Sequence, residues 1–208
     1  MTDGEYIKSQ IEALEQSVAY FRPGNQAELD SWVVGSFLNN CGIEHQPTEI
    51  VVPKVDPPDA IFRSAEFEVK EILDSGRKRH AEYKEALAKA RQANDPSELM
   101  EMYTPTNLKL SDLIAKLENK SQQLEHHYAP DARAGLDLLV YVNLQHIERI
   151  IADVPLASHR LERSGWRSVA FLKGHDSGVV YAEGGASDWL RLIQGKLLHR
   201  WMDEITSE

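Results

Sequence analysis

The sequence predicts an α/β fold, and three observations carry that reading. Apolar residues recur at helical steps through the N-terminal stretch, Ala60 to Ile72 alternates apolar and ionic side chains, and Gly135 to Asn143 is apolar on both sides of its pleat. With 208 residues, 42% hydrophobic and 27% charged, the chain is long enough for a single domain with one substantial core.

Ile7, Ile11, Leu14, Val18 and Phe21 fall on one helical face, so residues 4–20 are expected to form an amphipathic helix ended by Arg22-Pro23-Gly24. Asn25 is a good N-cap for a second helix, on which Leu29, Trp32, Val33, Ser36, Phe37 and Cys41 share a face until Gly42. The period then changes. Glu49-Ile50-Val51-Val52 is short and β-branched, and the prolines at 53, 57 and 58 make the next segment a loop that no helix tolerates.

Ala60–Arg63 and Glu66–Ile72 read as paired strands around Ser64-Ala65, with Phe67 and Val69 on one side and Glu66, Glu68 and Lys70 on the other. Residues 77–93 return to helix, Asp95-Pro96 with Glu98 starts a short one, and 108–127 carries the stripe Leu110, Leu113, Ile114, Leu117 and Leu124. The stretch 95–135 is expected to be a helical insertion within one domain spanning 1–208.

Gly135–Asn143 has the pattern of an inner strand covered on both faces and is expected near the sheet centre. Leu144–Ala152 and a stretch after Pro155 read as short helices, and Trp166–Leu172 and Val179–Glu183 as strands about a Gly174–Gly178 turn. Ser187–Ile205 reads as a closing helix. Its apolar side, Trp189, Leu190, Ile193, Leu197 and Trp201, fits core packing, with a homodimer seam as the alternative.

Lys+Arg 23 against Asp+Glu 33 gives a net charge of −10, which excludes a protein that coats nucleic acid through overall charge; an anionic partner must meet a local patch. Cys41 is the one cysteine, so no internal disulfide forms, and the eight histidines lack cysteine partners at the usual zinc spacings. A reducing, cytoplasmic setting is expected. The longest apolar run, Leu138 to Val142, is far short of the roughly 20 residues of a bilayer crossing, so neither a membrane span nor an export signal is expected.

The chemistry concentrates in Pro58 to Lys70. Folding the hairpin returns Glu68 toward Asp59, and the two-residue step keeps Lys70 on the face of Glu68. Two carboxylates suit magnesium (or manganese), which takes few protein ligands and polarises a phosphodiester, while Lys70 can orient the attacking water or neutralise developing charge. A Lys70→Ala chain is then expected to lose cleavage with its thermal melt nearly unchanged. Glu66, beside the turn, is read as solvated.

The helix after the hairpin holds Arg77, Lys78, Arg79, Lys84, Lys89 and Arg91 against Glu82 and Glu85. Arg77, His80 and Lys84 are spaced to share a face, and with Arg79 they are the candidate phosphate-binding residues; a solvated helix face is the alternative. Adjacent His126 and His127 point about 100° apart and do not share a metal. Gly174-His175-Asp176-Ser177-Gly178 lacks the nucleophile-elbow spacing, which removes a serine mechanism, and no glycine-rich nucleotide loop occurs. Asp137 is expected at the polar margin of its strand, with a contact to the site as the alternative.

Pro58-Asp59, a nine-residue step to Glu68, then Val69-Lys70 resemble the signature of the PD-(D/E)xK nuclease superfamily. Through Phe67-Glu68-Val69-Lys70-Glu71-Ile72 and the basic helix that follows, most of the chain is similar to a bacterial family of unknown function labelled "putative endonuclease". The resemblance implies a restriction-endonuclease-like mixed central sheet flanked by helices. It also implies an acid on the helix before the first strand as a further ligand or water contact. Glu28 holds that place, and a capping role for Asn25 and Glu28 is the alternative.

The expected function is a metal-dependent endonuclease acting on nucleic acid, DNA ahead of RNA, with Asp59 and Glu68 as ligands and Lys70 supporting the attacking water. The alternative is a catalytically inactive nuclease-fold chain that binds nucleic acid or protein. A structural interaction protein using the helices of 95–130 is a third reading.

Overall fold

The structure, a computed structural model, describes residues 2–22, 24–100 and 104–200. In chain order it runs α1 (Asp3–Tyr20), α2 (Gln26–Asn40), β1 (Ile50–Val51), β2 (Ala60–Phe62), β3 (Ala65–Leu73), α3 (Arg79–Gln92), β4 (Thr106–Lys109) and α4 (Leu110–Leu124). It continues with α5 (Pro130–Gly135), β5 (Asp137–Asn143), β6 (Ile147–Ile151), α6 (His159–Glu162), β7 (Ser168–Lys173), β8 (Asp176–Ala182), α7 (Asp188–Ile193) and β9 (Leu197–His199). The chain forms two compact units, a smaller one of Met1–Leu29 and Asp74–Thr104 and a larger one of Asp30–Leu73 and Pro105–Glu208.

The larger unit is a mixed α/β assembly around a seven-stranded sheet ordered β1-β2-β3-β5-β7-β8-β9. Its centre is parallel: β3 pairs with β5 and β5 with β7, while the flanking pairs are antiparallel. β5 is the inner strand its composition predicts, and Leu138, Leu139, Val140 and Val142 are all fully buried because both faces are covered. On one face Leu138, Val140 and Val142 join Leu110, Leu113, Leu117 and Leu124 of α4, with Leu161, Trp166 and Phe171. On the other, Phe37 of α2 meets Phe67 and Trp189 edge-on or tilted at 6.2 Å, and Phe62 meets Trp189 at 6.0 Å. Register decides which face carries the chemistry: Glu68 is level with Leu138 and Lys70 with Val140, so both point to the α4 side.

In the smaller unit α1 and α3 pack together. Thr2 caps α1 with a full capping box to Glu5. Phe21 stacks on Tyr83 at 5.0 Å, Arg79 lies 4.3 Å over the Phe21 ring, and Arg91 pairs with Glu15 at 2.7 Å.

Four expectations are corrected. The β2–β3 turn is Arg63-Ser64, one residue earlier than expected, because Ala65 is buried opposite Phe62; Arg63 takes φ 53, as a tight hairpin requires. Residues 144–152 are not helical: Ile147–Ile151 is strand β6, paired in parallel with β4, and partner availability overrides a helical apolar spacing. The closing helix stops at Ile193, where Gly195 at φ 76 turns the chain back so that β9 pairs with β8. Trp201 and the rest of the expected helix to Ile205 lie outside the described residues. Finally, the β7–β8 turn is only Gly174-His175, and Asp176–Gly178 belong to β8. A Cβ at Gly178 would meet Leu156 Cδ2 at 2.7 Å. The stretch 105–124, expected as part of an insertion, contributes α4 to the core of the larger unit.

Candidate metal centre

β3 outruns its partner β2. The ladder ends where Asp59 donates its backbone N–H to Phe67 O at 2.9 Å, so the next outward N–H on that edge, at Val69, has no strand to bond. The Asp59 carboxylate takes it: Oδ2 accepts from Val69 N at 2.8 Å and from Lys70 Nζ at 3.1 Å. Lys70 Nζ also donates to Val69 O at 3.1 Å and to Glu68 Oε1. The hairpin thus brings Asp59, Glu68 and Lys70 together.

Glu68 is fully buried, and its environment is the notable feature of the site. Oε1 accepts from Lys70 and from the phenol of Tyr128, which follows α4. Oε2 is buried and has no hydrogen-bond partner among the described residues. An ionised oxygen in that setting carries an uncompensated desolvation cost. Burial accordingly pushes the Glu68 carboxyl up, against the opposing pull of the Lys70 and Tyr128 hydrogen bonds. At Lys70 burial favours the neutral amine, but the Glu68 bond and the Asp59 charge outweigh it and the ammonium is held above its ordinary value. Burial and the bond to Glu68 push the Tyr128 phenol up to about 12.

Asp56, Asp59 and Glu68 each offer a carboxylate oxygen, and these atoms lie within 4.8 Å of one another. All-oxygen ligands of this charge suit a hard divalent cation, and the orphaned Oε2 is an atom such a cation would satisfy. Asp56 was not singled out by sequence reasoning. Its signal was the Asp56-Pro57-Pro58-Asp59 loop, which places two acids at the two ends of a proline pair. Tyr128 had no local signal at all, since 60 residues separate it from Glu68. Lys120 was also missed: it interrupts the buried α4 seam of Leu113, Leu117 and Leu124 at the position facing the core. Its ammonium is held below its ordinary value, by burial first and then by the charge of Lys70.

Glu28, Arg77, Arg79, His80 and Lys84 lie in the smaller unit. Glu28 is exposed, and its carboxylate accepts from Asn25 Nδ2 at 3.4 Å. Arg77 precedes α3 rather than lying on it, and its guanidinium binds Glu82 at 2.6 Å. Arg79 covers Phe21, His80 is half-buried with Nδ1 lacking a partner among the described residues, and Lys84 is exposed. Asp137 is not a polar margin. It is fully buried and accepts from Arg167, from Ser168 Oγ at 2.7 Å and from Glu66 N at 3.0 Å, a structural latch across three strands.

None of the helices is long and apolar enough to cross a membrane, among the described residues. No curated protein matches the sequence. Among solved structures, a Pseudomonas aeruginosa strain PAO1 protein of unknown function, described as Monooxygenase Superfamily, aligns with TM-score 0.58 at 22% identity, over 96% of this chain and 97% of its own. At that identity the likeness shows the α/β fold and nothing of the chemistry. A family match covers nearly the whole sequence: through residues 2–204 the chain belongs to the family described as "Putative endonuclease, protein of unknown function (DUF1780)".

Proposed function

We propose that the chain is a metal-dependent nuclease of the PD-(D/E)xK type, hydrolysing nucleic-acid phosphodiester bonds, DNA ahead of RNA. The observation that carries this reading is the cluster of Asp56, Asp59 and Glu68, whose ligand atoms lie within 4.8 Å of one another, on a Glu68 whose Oε2 is buried without a partner among the described residues. Asp59 and Glu68 would hold magnesium or manganese, with Asp56 as a third carboxylate. When bound, the ion supplies Lewis-acid polarisation of the phosphodiester and acidifies water.

The chain's own groups do the rest. Val69 N–H fixes the Asp59 carboxylate, and Tyr128 fixes Glu68 through Oε1, which leaves Oε2 for the ion. Lys70, held against both acids, orients the attacking water and neutralises charge that builds on the phosphorane oxygens. Arg79, His80 and Lys84 of α3, with Arg77 before it, hold the phosphate backbone. The family description as an endonuclease agrees with this reading.

A second reading has an observation of its own. Lys70 pairs with Asp59 and Glu68 at once and offsets part of their charge, as a nuclease fold retained only for binding would do. The two readings separate in one assay series. Purified protein with manganese should cleave single- or double-stranded substrates, and Asp59→Ala and Lys70→Ala should each remove the activity. Cleavage equal in all three preparations, or absent from the wild type with every polymer tried, would overturn the nuclease reading.

A further inference from the structure

The larger unit has a cavity on the opposite face of its sheet. Tyr141 is level with Glu71 and Leu172 in the strand register, one residue out of phase with Lys70, so it points to the α2 side. There a cavity of about 370 Å3 is lined by Trp32 and Asn39 of α2, Tyr141, Leu172, and His175 and Arg200. The volume lies within the roughly 300–1,000 Å3 of small-ligand sites. It opens beside the C-terminal ends of parallel strands β5 and β7, where open α/β sheets place their ligands.

The lining chemistry is selective. Trp32 is 48% exposed, which is unusual for so large an apolar side chain, and Tyr141 meets it edge-on at 5.5 Å and 79°. That contact sets the indole while leaving a large part of it accessible for stacking. Arg200 is fixed by its own chain: Nη1 donates to Asn39 O at 2.6 Å and the backbone N–H to His175 O at 3.1 Å. Among the described residues no carboxylate lines this cavity. A flat ring surface beside a guanidinium and an exposed imidazole matches one ligand chemistry: a planar heterocycle that carries an anionic group.

We propose that this cavity binds a nucleotide unit, with its base stacked on Trp32 and its phosphate held by Arg200. Stacking on an aromatic face tolerates any base, and Asn39 and His175 supply polar contacts to the base edge. The site stands independently of the acidic centre. The ligand is either a free nucleotide or an unpaired residue of a single strand, and both present the same base and phosphate.

Isothermal titration of the full chain with AMP, adenosine, inorganic phosphate and a short oligodeoxyadenylate tests it. AMP is expected to bind more tightly than adenosine or phosphate. Trp32→Leu should weaken AMP about five- to a hundred-fold, Trp32→Phe should retain most of the affinity, and Arg200→Gln should bring AMP down to the level of adenosine. Asp59→Ala should leave AMP binding unchanged. Oligonucleotide binding that depends on Trp32 assigns the site to single strands; Trp32-dependent binding of AMP without it assigns the site to free nucleotides; each upholds the proposal. Absence of both AMP and oligonucleotide binding by the wild type, or binding unaffected in folded Trp32→Leu and Arg200→Gln, would overturn it.

Discussion

Tyr128 donates its phenolic hydrogen to the same Glu68 oxygen that Lys70 holds, so one side of a fully buried carboxylate is doubly satisfied while the other has no partner among the described residues. That asymmetry is what a metal ligand needs: one oxygen anchored, the other presented. It also means that the centre is built from both a hairpin and the segment after α4.

Tyr128→Phe removes the anchoring hydroxyl and leaves the ring packed against Trp166 at 5.4 Å. The loss should destabilise the fold by about 1–3 kcal/mol, because a buried acceptor is left with less compensation. Urea unfolding of the two proteins measures it. A difference near zero would mean that Tyr128 does not hold Glu68.

Lys70 is three-quarters buried, with a side-chain exposure of 25%, and it joins two acids. Against the expectation that its removal spares stability, this burial argues for a cost. Lys70→Met leaves Asp59 and Glu68 facing each other without a cation and should cost on the order of 3 kcal/mol in EDTA. Manganese should restore the melting temperature of the variant by more than it raises that of the wild type, since binding to the folded state alone stabilises it. Equal shifts in both proteins would contradict the placement of the ion among these acids.

Much of this was legible in the sequence, for local reasons. Asp59, Glu68 and Lys70 are joined by one hairpin, whose period-two alternation shows which residues share a face. The inner position of β5 followed from a run of residues that are apolar on both sides. What was illegible depends on partners distant in sequence. β6 is a strand because β4 lies beside it, Tyr128 reaches Glu68 across the fold, and Asp137 is buried because Arg167 and Ser168 meet it. Glu68 was legible as a candidate ligand but its burial was not, because only the neighbouring α4 layer turns that strand face into an interior.

Cys41 gives a pH prediction outside the centre. Burial pushes its thiol up to about 12. The folded state therefore favours the protonated thiol, and the associated stability is full below the unfolded thiol's value of about 8.5 and declines as pH rises from there. Wild type should lose more stability than Cys41→Ala between pH 8 and about 10.5, and a thiol reagent at pH 8 should label the native protein far more slowly than the urea-unfolded one. Rapid native labelling would show the thiol to be accessible and ordinary.

The basic helix predicts a salt signature. Lys84 is exposed on α3, and Lys84→Ala should weaken binding to all nucleic-acid sequences alike and reduce the slope of log affinity against log salt by about 1. Fluorescence anisotropy across a salt series reads both. An unchanged slope would remove Lys84 from the phosphate contacts.

The most direct measurement is anomalous diffraction from crystals grown with manganese. The account predicts an anomalous peak bonded to Asp59 and to Glu68 Oε2, with Asp56 beside it. Crystals saturated with manganese that show no peak there, with Lys70 still joining Asp59 to Glu68, would contradict it.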